Sequence, residues 1–223
     1  ALAHCMLSLA SAKQIAKRGG AKVNDVMLAA IDMAMSRYLE ERGSPPDAPL
    51  VADVPVALQD HGGAGNRITI LQVPMGLPGS NPAERLRRIV LETQQMKREV
   101  RVLSGDSLML YSILEHSLAS TIESLRLGEL PMLANVVISN PAGLTQRVQF
   151  NGADVELALP ISVVGHQQVL NVTVTTYVDD LHVTFIALKE AVPDLARLAG
   201  YTVEALDQLA ADVARGRTKV KAR

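Results

Sequence analysis

One nearly continuous apolar run constrains this chain more than any other segment. It covers residues 23–39, follows the pair Gly19-Gly20, and carries Asn24 and Asp25 at its start. Glycine commonly ends a helix, asparagine is a good N-cap residue, and an acidic residue favours the positive end of a helix dipole. These features predict a long helix that begins at Asn24. Apolar residues occupy most of its circumference, so we expect it to be buried on most sides.

The polar start of this helix has two interpretations. Asn24 caps the helix while Asp25 adds favourable charge to the first turn, or the two side chains face a cleft and bind a substrate. The residue types fit both roles. The sequence pattern at this position therefore leaves the cap and the binding site as open alternatives.

The composition is typical of a globular protein. With 223 residues, 48% of them hydrophobic, the chain can bury a substantial core, and we expect residues 1–223 to form one domain. A formal net charge of −1 gives no indication of nucleic-acid binding. The basic tail, residues 215–223, is short and lacks aromatic residues, so a solvated end is favoured over contact with an anionic membrane.

Cysteine usage and hydropathy indicate where the protein works. The single cysteine, Cys5, excludes an internal disulfide and fits a reducing, cytoplasmic compartment. No run reaches the roughly 18 apolar residues of a membrane span, and no signal peptide is visible. Because residues 1–9 are already largely apolar, we expect this stretch to be the interior of a longer chain, although a processed terminus would read the same way.

Helical and strand periodicities are mixed along the chain. They predict an α/β fold with a mixed, partly antiparallel sheet and packed helices. Strands are predicted at 50–58, 67–75, 135–139, 147–150 and 155–159, with an antiparallel hairpin at 171–186; helices are predicted at 8–17, from 82 onward, at 107–127 and at 193–213, the last one broken at Gly200. The helix from residue 82 has one apolar face, and its opposite face, which includes Arg85, is expected to be a solvated cationic surface and not a phosphate site.

Local signatures of a catalytic centre are absent from the sequence. There is no phosphate-binding loop, no paired cysteine, no His-Glu-x-x-His and no Gly-x-Ser-x-Gly. Five histidines are scattered along the chain and none is doubled: His4, His61, His116, His166 and His182. His116, on an amphipathic helix, and His182, in a strand, are expected to be structural, while His166 beside Gly165 fits either role. His61 beside Asp60 is the most reactive in type, but a glycine-rich loop holds a base poorly. We therefore predict neither a catalytic residue nor a metal site in this chain.

Uncharged polar side chains at predicted helix and strand ends are the remaining candidates for a site. They are Asn24, Asn66, Ser139, Asn140, Ser162 and Asn171. Amides and hydroxyls orient a substrate carbonyl or hold a loop, but they do not catalyse without a base or nucleophile. Each also has a structural interpretation as a helix cap, a turn residue or the start of a strand.

Ordered matches along nearly the whole chain resemble the C-terminal half of the bacterial wax ester synthase/diacylglycerol acyltransferase family. The matching stretches are Asn24-Asp25, Pro55-Val56, Gly65-Asn66-Arg67-Ile68, Asn81-Pro82-x-Glu84-Arg85-Leu86, residues 135–143, Pro160-Ile161-Ser162 and residues 170–177. Asn140-Pro141-Ala142-Gly143 departs from the Asn-Val-Pro-Gly usual in that family.

The resemblance implies a fold similar to one half of a chloramphenicol acetyltransferase-like or condensation-domain protein, with a tunnel between two like halves. In that family the base belongs to His-His-x-x-x-Asp-Gly in the N-terminal half, a motif that these residues lack. The base deprotonates an alcohol, which attacks an acyl-CoA thioester directly. The implied function is that of the C-terminal domain of an acyl-CoA-dependent O-acyltransferase making triacylglycerol or wax esters, with acyl-CoA as co-substrate and no cofactor. The alternative is a non-catalytic binding or scaffold module of the same fold.

Partners and site residues follow from the same resemblance. The implied partners are the histidine-bearing half, acyl-CoA, and diacylglycerol or a long-chain alcohol, with peripheral contact to a membrane or lipid droplet and no nucleic acid. The implied substrate-binding residues are Asn24, Asp25, Asn66, Arg67, Ser139, Asn140, Ser162 and Asn171. Since a half-protein leaves uncovered the face that its partner buries, we also expect exposed apolar surface on this chain.

Overall fold

The computed structural model describes residues 1–57, 68–102, 134–165 and 168–220, without the side chains of 99, 101, 102 and 216–220. The helices are α1 (Leu9–Gly19), α2 (Val23–Glu40), α3 (Pro82–Val102) and α4 (Leu195–Val220). The strands are β1 (Leu2–Ser8), β2 (Val51–Ala57), β3 (Ile68–Pro74), β4 (Val136–Ser139), β5 (Gln149–Phe150), β6 (Ala153–Asp154), β7 (Leu170–Tyr177) and β8 (Asp180–Ala187). The predicted helix at 107–127 and the glycine-rich loop at 60–65 lie outside the described residues.

Six strands form a mixed sheet in the order β1-β8-β7-β4-β2-β3. The pairs β1–β8, β7–β8 and β2–β3 are antiparallel, whereas β4 is parallel to both β2 and β7. The predicted α/β fold with a mixed, partly antiparallel sheet is confirmed. The predicted hairpin is confirmed as well, and its strands β7 and β8 are joined through Val178 and Asp179.

The helices cover one face of this sheet. Alternate residues of the strands, such as Cys5, Val174 and Phe185, join a single buried core with α2 and α4. Every residue from Val26 to Ile31 in α2 is at most 1% exposed, which confirms a helix that is buried on most sides. The intervening strand residues project from the opposite face, which we call the polar face; it carries His4, Ser139, Asn171, Thr173, Tyr177, His182 and Thr184.

The start of α2 differs from the prediction. Lys22, with an extended backbone at φ −98° and ψ 161°, occupies the N-cap position, and the helix begins at Val23. Asn24 is therefore the second residue of the helix, and the prediction that it is the N-cap is wrong. The backbone N–H of Lys22 donates to Asp25 Oδ2 at 2.8 Å. Asp25 thus supplies a hydrogen-bond acceptor for the backbone N–H of the N-cap residue.

Two further predictions are wrong. Helix α4 continues through Gly200, because its neighbours Leu198 and Tyr201 pack in the core and outweigh the roughly 1 kcal/mol that glycine costs in a helix. Residues 155–159 do not form a strand; only the two-residue strands β5 and β6 pair there. The alternating pattern of 155–159 finds no partner strand in the part of the chain that the structure describes. The Tyr177 hydroxyl instead donates to the Val155 carbonyl.

Arg85 contradicts the predicted cationic surface, because its side chain is buried against α2. Its Nη1 donates to Asp32 Oδ2 at 2.6 Å and to Ser36 Oγ at 3.1 Å. The N–H of Gly76 donates to the same Asp32 oxygen at 3.1 Å. Burial raises the pKa of Asp32, while the Arg85 charge and the Gly76 N–H act in the opposite direction. An ion pair thus joins α2 to α3 inside the core.

Candidate functional site

Two asparagine side chains meet where the start of α2 approaches the end of β4. Asn140 Nδ2 donates to Asn24 Oδ1 at 3.2 Å, although 116 positions separate the residues. Asn140 is exposed and Asn24 is partly exposed. Within the described part of the chain, Asn24 Nδ2 and Asn140 Oδ1 have no hydrogen-bond partner. This amide pair therefore presents the Asn24 Nδ2 group as donor and the Asn140 Oδ1 atom as acceptor to a ligand.

Asp25 fixes the position of the amide pair. It is 3% exposed, and its second oxygen, Oδ1, accepts from the Thr93 hydroxyl of α3 at 3.0 Å. With Oδ2 engaged by Lys22, both carboxylate oxygens are bonded to the protein. Asp25 thus ties the first turn of α2 to α3 and holds Asn24 in place.

A row of hydrogen bonds crosses the polar face from β4 to β7. Ser139 Oγ donates to Thr173 Oγ1 at 3.0 Å, and Thr173 Oγ1 donates to Asn171 Oδ1 at 3.3 Å. Asn171 Nδ2 in turn donates to the carbonyl of Val163 at 3.1 Å. The parallel register, which places Ser139 opposite Thr173, makes the first bond possible. The structure thus links Ser139 and Asn171 through a residue that the sequence reasoning missed.

Thr173 could have been found from the alternation in β7. Asn171, Thr173 and Thr175 occupy every second position, which places them on one face of a strand. That pattern shows that the three side chains share one face of the strand. It does not show that Thr173 bonds to Ser139, because it does not specify the register of β7 with β4.

A close backbone contact places the loop that carries Asn140. The N–H of Leu144 donates to the carbonyl of Thr176 at 2.9 Å, and the N–H of Val178 donates to the carbonyl of Leu144 at 2.7 Å. A Cβ atom on Gly143 would lie 2.0 Å from the Thr176 carbonyl oxygen. Only glycine fits against β7 at this position. Gly143 therefore allows the loop of residues 140–143 to pack on β7.

Apolar side chains are exposed on the segment that Asn171 holds. Residues 150–163, which we call the apolar segment, include Phe150 at 80% exposure, Ile161 at 67% and Val163 at 80%. Ile161 and Val163 lie only two positions apart, and apolar surface that is exposed over neighbouring residues commonly marks an interaction site. Ser162 lies between the last two, is partly exposed, and has no hydrogen bond among the described residues.

Several candidate residues cannot be placed. Asn66 and Arg67 lie outside the described residues, as do His61, His116 and His166.

A cavity of about 180 Å³ lies at the other end of α2 and is lined by Ser36, Arg37, Arg85 and Tyr201, among others. It is therefore remote from the amide pair.

Other kinds of site find no support in the part of the chain that the structure describes. No group of three or more His, Cys, Asp or Glu side chains there could hold a metal ion. Burial raises the pKa of the Cys5 thiol to about 12, so it stays protonated and unreactive. None of the described helices is long and apolar enough to cross a membrane.

Sequence comparisons identify relatives of about twice this length. The WS/DGAT C-terminal domain family matches residues 64–210. The O-acyltransferase WSD of Acinetobacter baylyi is 32% identical over 195 residues, which cover 86% of this chain and 42% of that protein. A Mycobacterium tuberculosis protein, named as a candidate diacylglycerol O-acyltransferase, is 34% identical over 206 residues, or 89% of this chain and 41% of its own length. The chain thus spans less than half of the curated relatives that it matches.

Solved structures lead to the same family. The wax ester synthase/diacylglycerol acyltransferase of Marinobacter aquaeolei VT8 matches with a TM-score of 0.84 and 26% identity, covering 96% of this chain and 49% of that one. The first condensation domain of the CDA synthetase matches with a TM-score of 0.58 at 16% identity, which supports the condensation-domain-like fold alone. The family model, the curated relatives and the Marinobacter structure agree, and the chain therefore belongs to the wax ester synthase/diacylglycerol acyltransferase family as its C-terminal domain.

Proposed function

We propose that this chain is the C-terminal domain of an acyl-CoA-dependent O-acyltransferase that makes triacylglycerol or wax esters. Residues 1–223 act as one domain that completes a substrate tunnel beside an N-terminal half bearing His-His-x-x-x-Asp-Gly. The observation that carries the proposal is the exposed apolar segment, which Asn171 connects through Thr173 to the end of β4, next to the amide pair. The apolar segment is thereby hydrogen-bonded to Ser139, which directly precedes Asn140 of the amide pair in the chain.

The proposed chemistry needs only positioning groups from this chain. The base in the partner half takes the proton of the alcohol, the alcohol oxygen attacks the thioester carbonyl, and coenzyme A leaves as the thiol once that proton is returned. Negative charge develops on the carbonyl oxygen during the attack, and a fixed amide donor stabilises it. Among the described residues, Asn24 Nδ2 is an unpaired donor suited to this role, while Asn140 and Asp25 keep Asn24 in place.

The remaining substrate contacts are assigned by residue type. We propose that Ser139, Asn140, Ser162 and Asn171 line the tunnel with Asn24 and Asp25, and that Asn66 and Arg67 contribute from the neighbouring loop. Acyl-CoA and diacylglycerol or a long-chain alcohol are the substrates. The enzyme works in the cytoplasm, in peripheral contact with a membrane or lipid droplet that supplies these lipids.

The proposal is tested by assaying the chain with and without the histidine-bearing half. Purified residues 1–223 are expected to form no ester from acyl-CoA and a long-chain alcohol or diacylglycerol, because they contribute no base. The parent polypeptide that includes the proposed N-terminal half is expected to form ester. Turnover by residues 1–223 alone contradicts the assignment of the base to the other half, and an inactive parent polypeptide favours the non-catalytic scaffold module.

A charged variant of the apolar segment tests whether this segment contacts the N-terminal half. Ile161→Glu with Val163→Glu places two charges on side chains that are already exposed, so the melting temperature of the isolated chain should change little. Association with the separately produced N-terminal half should weaken, because the charges would have to be desolvated in the interface. Unchanged association, measured by calorimetry, would exclude this segment from the interface.

Asn24→Asp separates substrate binding from a structural role of Asn24. The aspartate keeps an oxygen that accepts from Asn140 and adds negative charge to the first turn of α2, so stability should be maintained. It removes the Nδ2 donor, and turnover of the full enzyme should fall by about 10- to 1,000-fold. Melting temperature and turnover are read on the same preparation. Full activity of Asn24→Asp would show that the role of Asn24 is purely structural.

A further inference from the structure

A group of apolar side chains lies at one end of the polar face, beside the start of β7. In the strand pairing, Leu2 of β1 is opposite Ile186 of β8, and Ile186 is opposite Asn171 of β7. The N–H of Leu188 donates to the carbonyl of Val169 at 3.0 Å, so the β7–β8 pairing continues one residue beyond both strands. Because residues two positions apart in a strand share a face, Val169 and Leu188 also lie on the polar face. We call Leu2, Val169, Ile186 and Leu188 the apolar corner.

The side chains of the apolar corner are accessible. Leu2 is 52% exposed, Leu188 49% and Val169 36%, while Ile186 is partly exposed. None of the four is charged. A cluster of exposed, uncharged apolar side chains has the composition of the centre of a protein interface, where charged residues are depleted.

The charges next to the apolar corner argue against a lipid surface. Lys189 and Glu190 follow Leu188 directly, are both exposed, and have opposite signs. A surface that binds an anionic membrane combines apolar side chains with an excess of cations. The surroundings of the corner therefore favour a protein as its partner.

The apolar corner adjoins the apolar segment. Asn171 Nδ2 donates to the carbonyl of Val163 at 3.1 Å, and Asn171 lies opposite Ile186 in the strand pairing. Val163, which is 80% exposed, is thus anchored beside the corner. One partner surface can cover both.

The size of the apolar corner indicates that it is part of a larger interface. A stable interface buries about 800 Å² on each partner, which is more than four side chains supply. The apolar segment extends the available surface on the same face of the sheet. The chain is the C-terminal domain of a family whose members are about twice as long, so a second half of comparable size is the partner that the comparisons favour.

We propose that the N-terminal half of the parent polypeptide covers the apolar corner together with the apolar segment. The inference rests on the proposed function, because that proposal supplies the N-terminal half. It adds a contact on β1, β7 and β8 to the one proposed for residues 150–163. It also specifies that the two halves meet on the polar face, opposite the helices.

Cysteine accessibility in the parent polypeptide tests the proposal. Leu188→Cys is compared with Leu91→Cys, because Leu91 is similarly exposed, at 58%, but lies on α3, on the helix-covered side of the sheet. For each variant, the rate of maleimide labelling in the folded protein is divided by the rate in urea. This ratio should be at least about tenfold lower for Leu188→Cys, because a covered thiol reacts only after local opening. The unsubstituted parent gives the background; Cys5 contributes little to it, since Cys5 is buried and its pKa is raised to about 12.

The melting temperature of each variant shows whether it folds. Both substitutions are at exposed positions, so the melting temperatures should stay close to that of the unsubstituted parent. If Leu188→Cys is destabilised, Leu2→Cys on the neighbouring strand replaces it, because Leu2 belongs to the same corner.

Equal labelling ratios of the two variants would overturn the proposal. So would protection of Leu188→Cys that grows with protein concentration, which indicates a second copy of the chain, or that requires added phospholipid vesicles, which indicates a lipid surface. Ester formation is measured separately on the same preparations. Protection without ester formation contradicts the proposed acyl transfer but supports this contact, whereas ester formation with equal labelling ratios does the reverse.

Discussion

Replacing Arg85 by methionine is expected to destabilise the folded chain by about 3–5 kcal/mol. The substitution removes the countercharge of Asp32, which is fully buried, and leaves that carboxylate with the Gly76 N–H as its remaining charge-stabilising contact. Its other oxygen, Oδ1, already lacks a partner among the described residues. Urea denaturation followed by circular dichroism gives the free energy of unfolding.

The Arg85→Met loss should depend on pH. Burial raises the pKa of Asp32 above its value in an unfolded chain, and removal of Arg85 raises it further. A carboxyl group with a raised folded-state pKa contributes stability below its unfolded pKa of about 4, and that contribution is lost as pH rises through the folded-state pKa. Arg85→Met should therefore be closest to wild type in stability at acidic pH and furthest from it at neutral pH.

Two controls isolate the buried charge. Arg87→Met changes an exposed arginine two positions along α3 and should alter stability by no more than about 0.5 kcal/mol. The double variant Asp32→Leu with Arg85→Met replaces the ion pair by apolar side chains and should recover most of the loss. Equal stability of Arg85→Met and Arg87→Met would show that the Asp32–Arg85 pair does not stabilise the fold.

Gly143→Ala is expected to destabilise the chain by about 3 kcal/mol or more. The added methyl group would lie 2.0 Å from the carbonyl oxygen of Thr176 and 2.5 Å from its nitrogen. These are backbone atoms, so no rotamer change relieves the clash, and the loop must separate from β7. Because that loop carries Asn140, the contact between Asn140 and Asn24 should be lost with it.

Gly200→Ala is the matched control for this substitution. A Cβ atom at Gly200 meets nothing within 4 Å, and the residue lies inside the continuous helix α4. Alanine should therefore raise the free energy of unfolding by about 0.5–1 kcal/mol. The two Gly→Ala variants are thus expected to shift the melting temperature in opposite directions, and a neutral Gly143→Ala would contradict the described packing of the loop on β7.

The local patterns of the sequence predicted several parts of this protein. The helix predicted at 8–17 is α1, and Gly20, at φ 65°, ends it, as the Gly19-Gly20 pair indicated. The alternation in β7 and β8 predicted their hairpin, and the apolar run predicted the burial of α2. These features depend on residues close in the chain, where propensity and periodicity act directly.

Contacts between residues that are distant in the chain could not be predicted from local sequence patterns. Helical spacing placed Arg85 on the cationic face of α3, but the Asp32 carboxylate, 53 residues away, draws it into the core. Asn24 was a good cap by residue type, yet Asp25 satisfies the cap position and leaves Asn24 to bond Asn140. The same holds for His4 and His182, which are 178 positions apart in the chain, yet their ring nitrogens lie 3.2 Å apart.

The sequence by itself determined the fold class, most of the described helices and strands, and the family to which the chain belongs. Only the tertiary structure decided which polar side chains meet: Asn24 with Asn140, Ser139 with Asn171 through Thr173, and His4 with His182. The physical reason is that periodicity specifies which residues share a face of one element, whereas strand register and helix docking specify which faces come together.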